Sequence, residues 1–229
     1  MCFSTEASFG ASAILSLAGV AAIKNIQTRS QLAFACIPLI FAFQQFCEGF
    51  VWLSFTNNKY FSIHQLSINS FIVIAQVLWP FWVPYTIILM EKSKKQKKKL
   101  YTILVFGSLL SFYHLVCLFL FDVTAEVKAY HIYYELNFPH IGREIEGILY
   151  IIPTIIPPFL SSIKGMKLFG ILIFSSFLIT AMLYNEYAIS VWCFFAGIIS
   201  VIVYLIITQP VFLKQSDIQL HFKKDLSNS

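Results

Sequence analysis

Apolar residues gather into seven runs along the chain: Ser8 to Lys24, Leu32 to Phe55, Leu66 to Met90, Leu100 to Phe121, Gly147 to Ile163, Leu168 to Tyr184 and Ala188 to Thr208. An α-helix rises about 1.5 Å per residue, so about 20 residues cross a bilayer. The pattern therefore predicts an all-α polytopic membrane protein with seven transmembrane helices. The first run is short for a span, but Ser12, Ser16 and Gly19 give it the small-residue surface on which membrane helices pack closely. The fifth carries Pro153, Pro157 and Pro158, which remove backbone donors and are expected to bend or break it.

The second run organises the rest, because Gln44, Gln45, Glu48 and Trp52 lie within it. Glu48 is the one formal charge that the pattern places in hydrocarbon, seven residues and so roughly 10 Å from the run's outer end. A charge at such a depth costs about 2.5 to 3.5 kcal/mol even on the lenient insertion scale, which makes it a functional-site candidate by default. Gln44, Cys47 and Glu48, at i, i+3 and i+4, share one helix face.

Composition agrees with the runs. A chain that is 58% hydrophobic and 12% charged, with 24 Phe, excludes a water-soluble core. Lys and Arg then set the orientation, since they are retained on the cytoplasmic side. Thirteen fall after helices one, three and five and in the tail, and three (Lys59, Lys128 and Arg143) fall on the other side. This places the N-terminus outside and the C-terminus in the cytoplasm. Residues 1–208 read as the membrane domain and 209–229 as a cytoplasmic tail, with Val211, Ile218 and Phe222 on one side of a surface helix. The lysine run from Lys92 to Lys99 lies between two spans, where a positive-inside anchor touching anionic lipid explains it, so nucleic acid is not an expected partner. The expected partners are the bilayer and a small molecule or lipid.

Polar faces recur on other helices. Asn69, Gln76 and Pro80 align on the third and Gly107, Ser111 and His114 on the fourth. Tyr150, Thr154, Pro157 and Ser161 align on the fifth, and Ser190, Cys193, Gly197, Ser200 and Tyr204 on the seventh. Most read as interhelical glue. His114 lies at the depth of Glu48, with Cys193 not far from that level, and the three are expected to meet in one outward-facing cavity. Such a pair supports acid/base chemistry, a divalent metal if a third ligand joins, or a proton relay. An intramembrane enzyme for a lipid-like substrate would use Glu48 and His114, with Cys2 or Cys193 as third participant. A transporter or sensor would use Glu48 as a titrating gate, with Gln44, Asn69 and Gln76 along the path. A buried pair that only fixes packing is the structural alternative.

Other chemistries are excluded. No Lys lies within a span, against a retinal Schiff base, and His114 has no second intramembrane His with which to hold a haem. The five cysteines form no C-x-x-C. Removal of Met1 would leave Cys2 with its thiol and amine together. The segment from Asp122 to Glu146, rich in Tyr and His, reads as an interfacial helix or else a lid over the polar spot. In W-P-F-W-V-P, Trp79 and Trp82 read as interface anchors and Pro80 and Pro84 as kinks.

The opening Met1-Cys2-Phe3-Ser4, Phe43-Gln44-Gln45 with Glu48-Gly49 and Trp52, Trp79-Pro80 with Trp82 and Pro84, and Ser190-Val191-Trp192-Cys193-Phe194-Phe195-Ala196 cover most of the chain. Together they resemble an uncharacterised family of small bacterial polytopic membrane proteins opening M-C-F-S. The resemblance implies seven helices in a bacterial inner membrane and brings no activity. It picks out Cys2, Gln45, Glu48, Trp52, Trp192 and Cys193. Gln45, Trp52 and Trp192 thereby join Gln44, Asn69 and Gln76 as candidate substrate-facing residues.

Overall fold

A computed structural model describes residues 4–128, 130–139 and 143–208, apart from the side chains of 143, 144 and 185. Cys2 and the tail from 209 onward lie outside these. The described chain is predominantly helical. Its helices are α1 (Thr5–Lys24), α2 (Leu32–Ala35), α3 (Ile37–Thr56), α4 (His64–Ile72), α5 (Trp79–Met90), α6 (Lys94–Leu120), α7 (Arg143–Leu160), α8 (Met166–Leu183), α9 (Ala188–Ile199) and α10 (Ile202–Ile207). Six continuous helical stretches among the described residues are long and apolar enough to cross a membrane: Thr5–Lys24, Arg29–Thr56, Asn58–Met90, Lys94–Leu120, Met166–Leu183 and Ala188–Ile207. The seventh expected span is the shorter Ile145–Leu160, inside α7. That helix runs unbroken through all three prolines.

Helix α1 lies along α3. Ser12 donates to the Ala42 carbonyl at 2.8 Å, the kind of close contact that small residues permit. The third expected span is composite. Between α4 and α5 the six residues Val73–Leu78 form a π-helical turn, and Pro80 follows in the first turn of α5.

The segment between α6 and α7 corrects the sequence reading. It forms an antiparallel hairpin, β1 (Val123–Lys128) with β2 (His131–Leu136), in register from Val123 opposite Leu136 to Lys128 opposite His131. The fold is therefore not purely α-helical. V-T-A-E-V-K and H-I-Y-Y-E-L are rich in β-branched and aromatic residues, and the first alternates apolar with polar positions. Val123 and Ala125 on one strand and Ile132 and Tyr134 on the other are buried. Tyr130 turns the chain with φ of 63°, a left-handed conformation that suits a tight hairpin loop. Tyr134 stacks on Phe71 of α4 at 4.8 Å, Gln65 donates to the Val123 carbonyl at 2.9 Å, and the Tyr113 hydroxyl of α6 donates to Pro139 at 2.9 Å. The hairpin so closes one end of the bundle, over a core that contains Cys47, Trp52, Cys117 and Cys193.

The opposite end holds a second buried carboxyl group that the apolar pattern does not disclose. Glu91, just past α5, is 1% exposed. It accepts the backbone N–H groups of Lys92 and Ser93 at 2.9 Å, that of Ser162 at 2.7 Å, the Ser161 hydroxyl at 3.1 Å and the Ser162 hydroxyl. Burial opposes its charge, but the bonds from Ser162, Ser93 and Ser161 outweigh burial and hold the carboxyl below its ordinary value of 4.5. Glu91 thus ties the end of α5 to the turn after α7.

Candidate functional site

One face of α3 is buried along the helix while Phe43 and Phe46 on the other are exposed, and Gln44, Gln45 and Glu48 have no exposed surface. Both Glu48 oxygens are engaged. Oε1 accepts the Ser190 hydroxyl of α9 at 2.5 Å and Oε2 accepts Gln45 Nε2 at 3.1 Å. Both donors are neutral, and among the described residues no cation pairs with the carboxyl group. Gln44 turns toward α5, where its Oε1 accepts the Trp79 indole N–H at 3.3 Å. Among the described residues, Gln44 Nε2 and Gln45 Oε1 are buried with no hydrogen-bond partner.

Cys193 stands three residues after Ser190 on the same face of α9, within the field of Glu48 and beside Gln44. It also lines a cavity of about 50 Å³. Phe41 of α3, Trp79 of α5, Tyr150 of α7, Phe169 of α8 and Trp192 of α9 supply the aromatic walls, with Thr154 and Ala196 between them. Trp192 meets Tyr150 and Phe177 edge to face at 5.7 and 5.3 Å. Trp79 corrects the sequence reading. It is 5% exposed and stacks on Phe41 at 4.1 Å, because Gln44 gives its N–H a partner inside the bundle and no interface is needed.

His114 is held separately from Glu48. Its Nδ1 lies 2.9 Å from the Gln76 carbonyl, and the carboxylate whose field reaches it is Glu146 of α7. Because a carbonyl only accepts, Nδ1 carries a proton. The backbone explains the bond. In π spacing the Ala75 carbonyl would look to the N–H of residue 80, and in α spacing the Gln76 carbonyl would do so; Pro80 has none. The Tyr150 hydroxyl donates to Ala75 and His114 to Gln76, so two neighbouring helices supply what the proline lacks. Gly107 permits this approach: a Cβ there would fall 2.1 Å from the Pro80 carbonyl oxygen.

The structure thus gathers Gln44, Gln45, Glu48, Cys193 and Trp192 around one region and leaves other candidates apart. Asn69 is exposed and accepts from Gln65 at 3.0 Å. Gln76 takes part through its carbonyl. Trp52 is buried in the core under the hairpin with its indole N–H unpartnered. Among the described residues, no group of three or more His, Cys, Asp and Glu could hold a metal ion, so Glu48 and His114 lack a third ligand there. Ser190, Trp79 and Tyr150 surround the same region, although the sequence reads Ser190 and Tyr150 as interhelical packing and Trp79 as an interface anchor. The usable signal is Ser190 at i−3 from Cys193.

Over residues 1–216 the chain matches the model of a family of unknown function, DUF6629. No curated protein and no solved structure matches it.

Proposed function

The chain belongs to that family of unknown function, which brings no activity with it, and from its own buried groups we propose a bacterial inner-membrane protein that binds a small amphiphilic molecule within the bilayer. In this reading the chain crosses the membrane seven times, N-terminus outside, as the thirteen-to-three distribution of Lys and Arg supports. Glu48 exchanges a proton as the ligand comes and goes, which makes the protein a proton-coupled transporter or a sensor. The observation that carries this reading is a fully buried carboxyl group held by two neutral donors and set beside a thiol that lines an aromatic cavity. The π-turn and Pro80 favour movement over fixed chemistry, because interrupted helices line the cavities of transporters.

The second reading, an intramembrane enzyme acting on an amphiphile, draws support from Cys193. A thiol beside a carboxyl group at a cavity wall can serve as nucleophile and base. His114 Nδ1 is engaged by the Gln76 carbonyl rather than by Glu48.

Native mass spectrometry of protein purified in mild detergent, with metal analysis of the same sample, tests both. One neutral organic molecule per chain, lost in Glu48→Gln, is expected. Stoichiometric zinc or iron would move the assignment to the enzyme. Wild-type protein that carries neither, and matches Glu48→Gln in every species, would overturn the binding reading.

A further inference from the structure

The polar groups around the cavity restrict what it can hold. None of its lining residues is Lys, Arg, His, Asp or Glu. Most of the hydrogen-bonding groups in its wall are already committed: the Tyr150 hydroxyl to Ala75, the Thr154 hydroxyl to the Tyr150 carbonyl at 2.6 Å, and the Trp79 N–H to Gln44 at 3.3 Å. Trp192 differs. Its Nε1 is buried and has no partner among the described residues, and an indole N–H only donates. The Cys193 thiol nearby is at most a second, weak donor.

Within the reading of this region as a ligand site, we propose that the cavity receives the carbonyl end of an uncharged, otherwise apolar chain, with Trp192 Nε1 donating to the carbonyl oxygen. An anion would meet no cation in the lining, and a cation only the Glu48 carboxyl group behind Cys193, already bonded to Ser190 and Gln45, while both would lose their hydration. A plain hydrocarbon would leave the buried N–H unsatisfied. One water-sized group needs about 10–15 Å³ by this measure, so about 50 Å³ admits a carbonyl and its first carbons and leaves the remaining chain outside. The five aromatic walls supply contact for those carbons.

Matched ten-carbon probes test this: 2-decanone, decane, decanoate and decylammonium, each titrated at equal mole fraction into the detergent-solubilised full chain. Saturable thermal stabilisation is the readout. 2-Decanone is expected to bind about fivefold tighter than decane, the worth of one hydrogen bond, and both ions more weakly than either. Trp192→Phe keeps the ring, removes the N–H, and should erase the preference for ketone over alkane. Ala196→Leu, which fills the cavity, should remove saturable binding of both and covers the case in which Trp192→Phe fails to fold. Equal binding of ketone and alkane, tighter binding of either ion, or no saturable probe would overturn the proposal. Titrations of 2-decanone and decane at two pH values separate the two readings: a ketone preference that is the same at both would remove the proton-coupled reading and leave this proposal standing, and its absence would not touch the role of Glu48.

Discussion

Replacing Gly107 with Ala tests the contact on which the interrupted helix depends. The added methyl carbon would lie 2.1 Å from the Pro80 carbonyl oxygen, 1.3 Å short of the 3.4 Å at which ordinary contact begins. It would also lie 2.9 Å from the Pro80 carbonyl carbon and 3.0 Å from Pro153 Cβ. Two of these atoms are backbone, so no side-chain rotation relieves the clash, and α6 must part from α5. Overpacking of this kind costs about 2–3 kcal/mol. A displacement of that size also carries His114 Nδ1, now 2.9 Å from Gln76, out of hydrogen-bond range. With the neighbouring bond from Tyr150 strained as well, about 2 kcal/mol more is lost. Alanine's better helix propensity returns about 1 kcal/mol, which leaves a net loss of about 3–4 kcal/mol. Equilibrium unfolding in mixed micelles measures it, with Gly10→Ala and Gly147→Ala as controls, since a methyl group at either meets nothing within 4 Å. Stability of Gly107→Ala within about 0.5 kcal/mol of those controls would refute the close approach and the capping scheme built on it.

Glu91 should confer an acid-dependent stability. Its folded-state value lies below 4.5, so its contribution is complete above about pH 4.5 and is lost as the pH falls through that value toward the folded one. Glu91→Gln should flatten this part of the unfolding profile between pH 3 and 6 and cost about 2 kcal/mol at pH 7, because a neutral amide cannot accept all five donors. Tyr150→Phe should cost about 1–3 kcal/mol by leaving the Ala75 carbonyl unsatisfied, and His114→Phe a similar amount at Gln76; hydrogen exchange should rise in Val73–Leu78 in both. A His114 variant with unchanged stability and exchange would contradict the capping role.

The hydrophobic runs made the helices legible, and the hairpin was hidden by the same kind of evidence. In Asp122 to Glu146 the many aromatics suggest a headgroup belt when counted, yet read in order V-T-A-E-V-K alternates apolar with polar residues, the period of a strand. Val123, Ala125, Ile132 and Tyr134 turn inward because strand pairing satisfies their backbone groups while the side chains cover Phe71 and the core around Cys193. Glu91 escaped for another reason. At the end of an apolar run and ahead of six lysines it resembles a solvated boundary residue, and its partners Ser161 and Ser162 are seventy residues away. Only packing reveals that the two helix ends coincide.

Depth and polarity singled out Glu48 and His114 correctly as buried polar residues, but depth along a helix axis leaves the direction around it open. His114 lies on the α6 face that meets the π-turn, and Glu48 on the α3 face that meets α9. What separates them is Pro80. A proline in a span leaves a carbonyl unsatisfied, in a medium where an unsatisfied group costs several kcal/mol, so a nearby donor is drawn to it. The donor on α6 that reaches the Gln76 carbonyl is His114, at i+7 from Gly107, the residue whose missing side chain admits the proline's own carbonyl. Glu48 is then left to Ser190 and Gln45, donors that balance no charge. The backbone defect thus consumes the His114 imidazole and leaves the Glu48 carboxyl group to the neutral Ser190 and Gln45, with Cys193 one turn along α9 at the wall of the aromatic cavity.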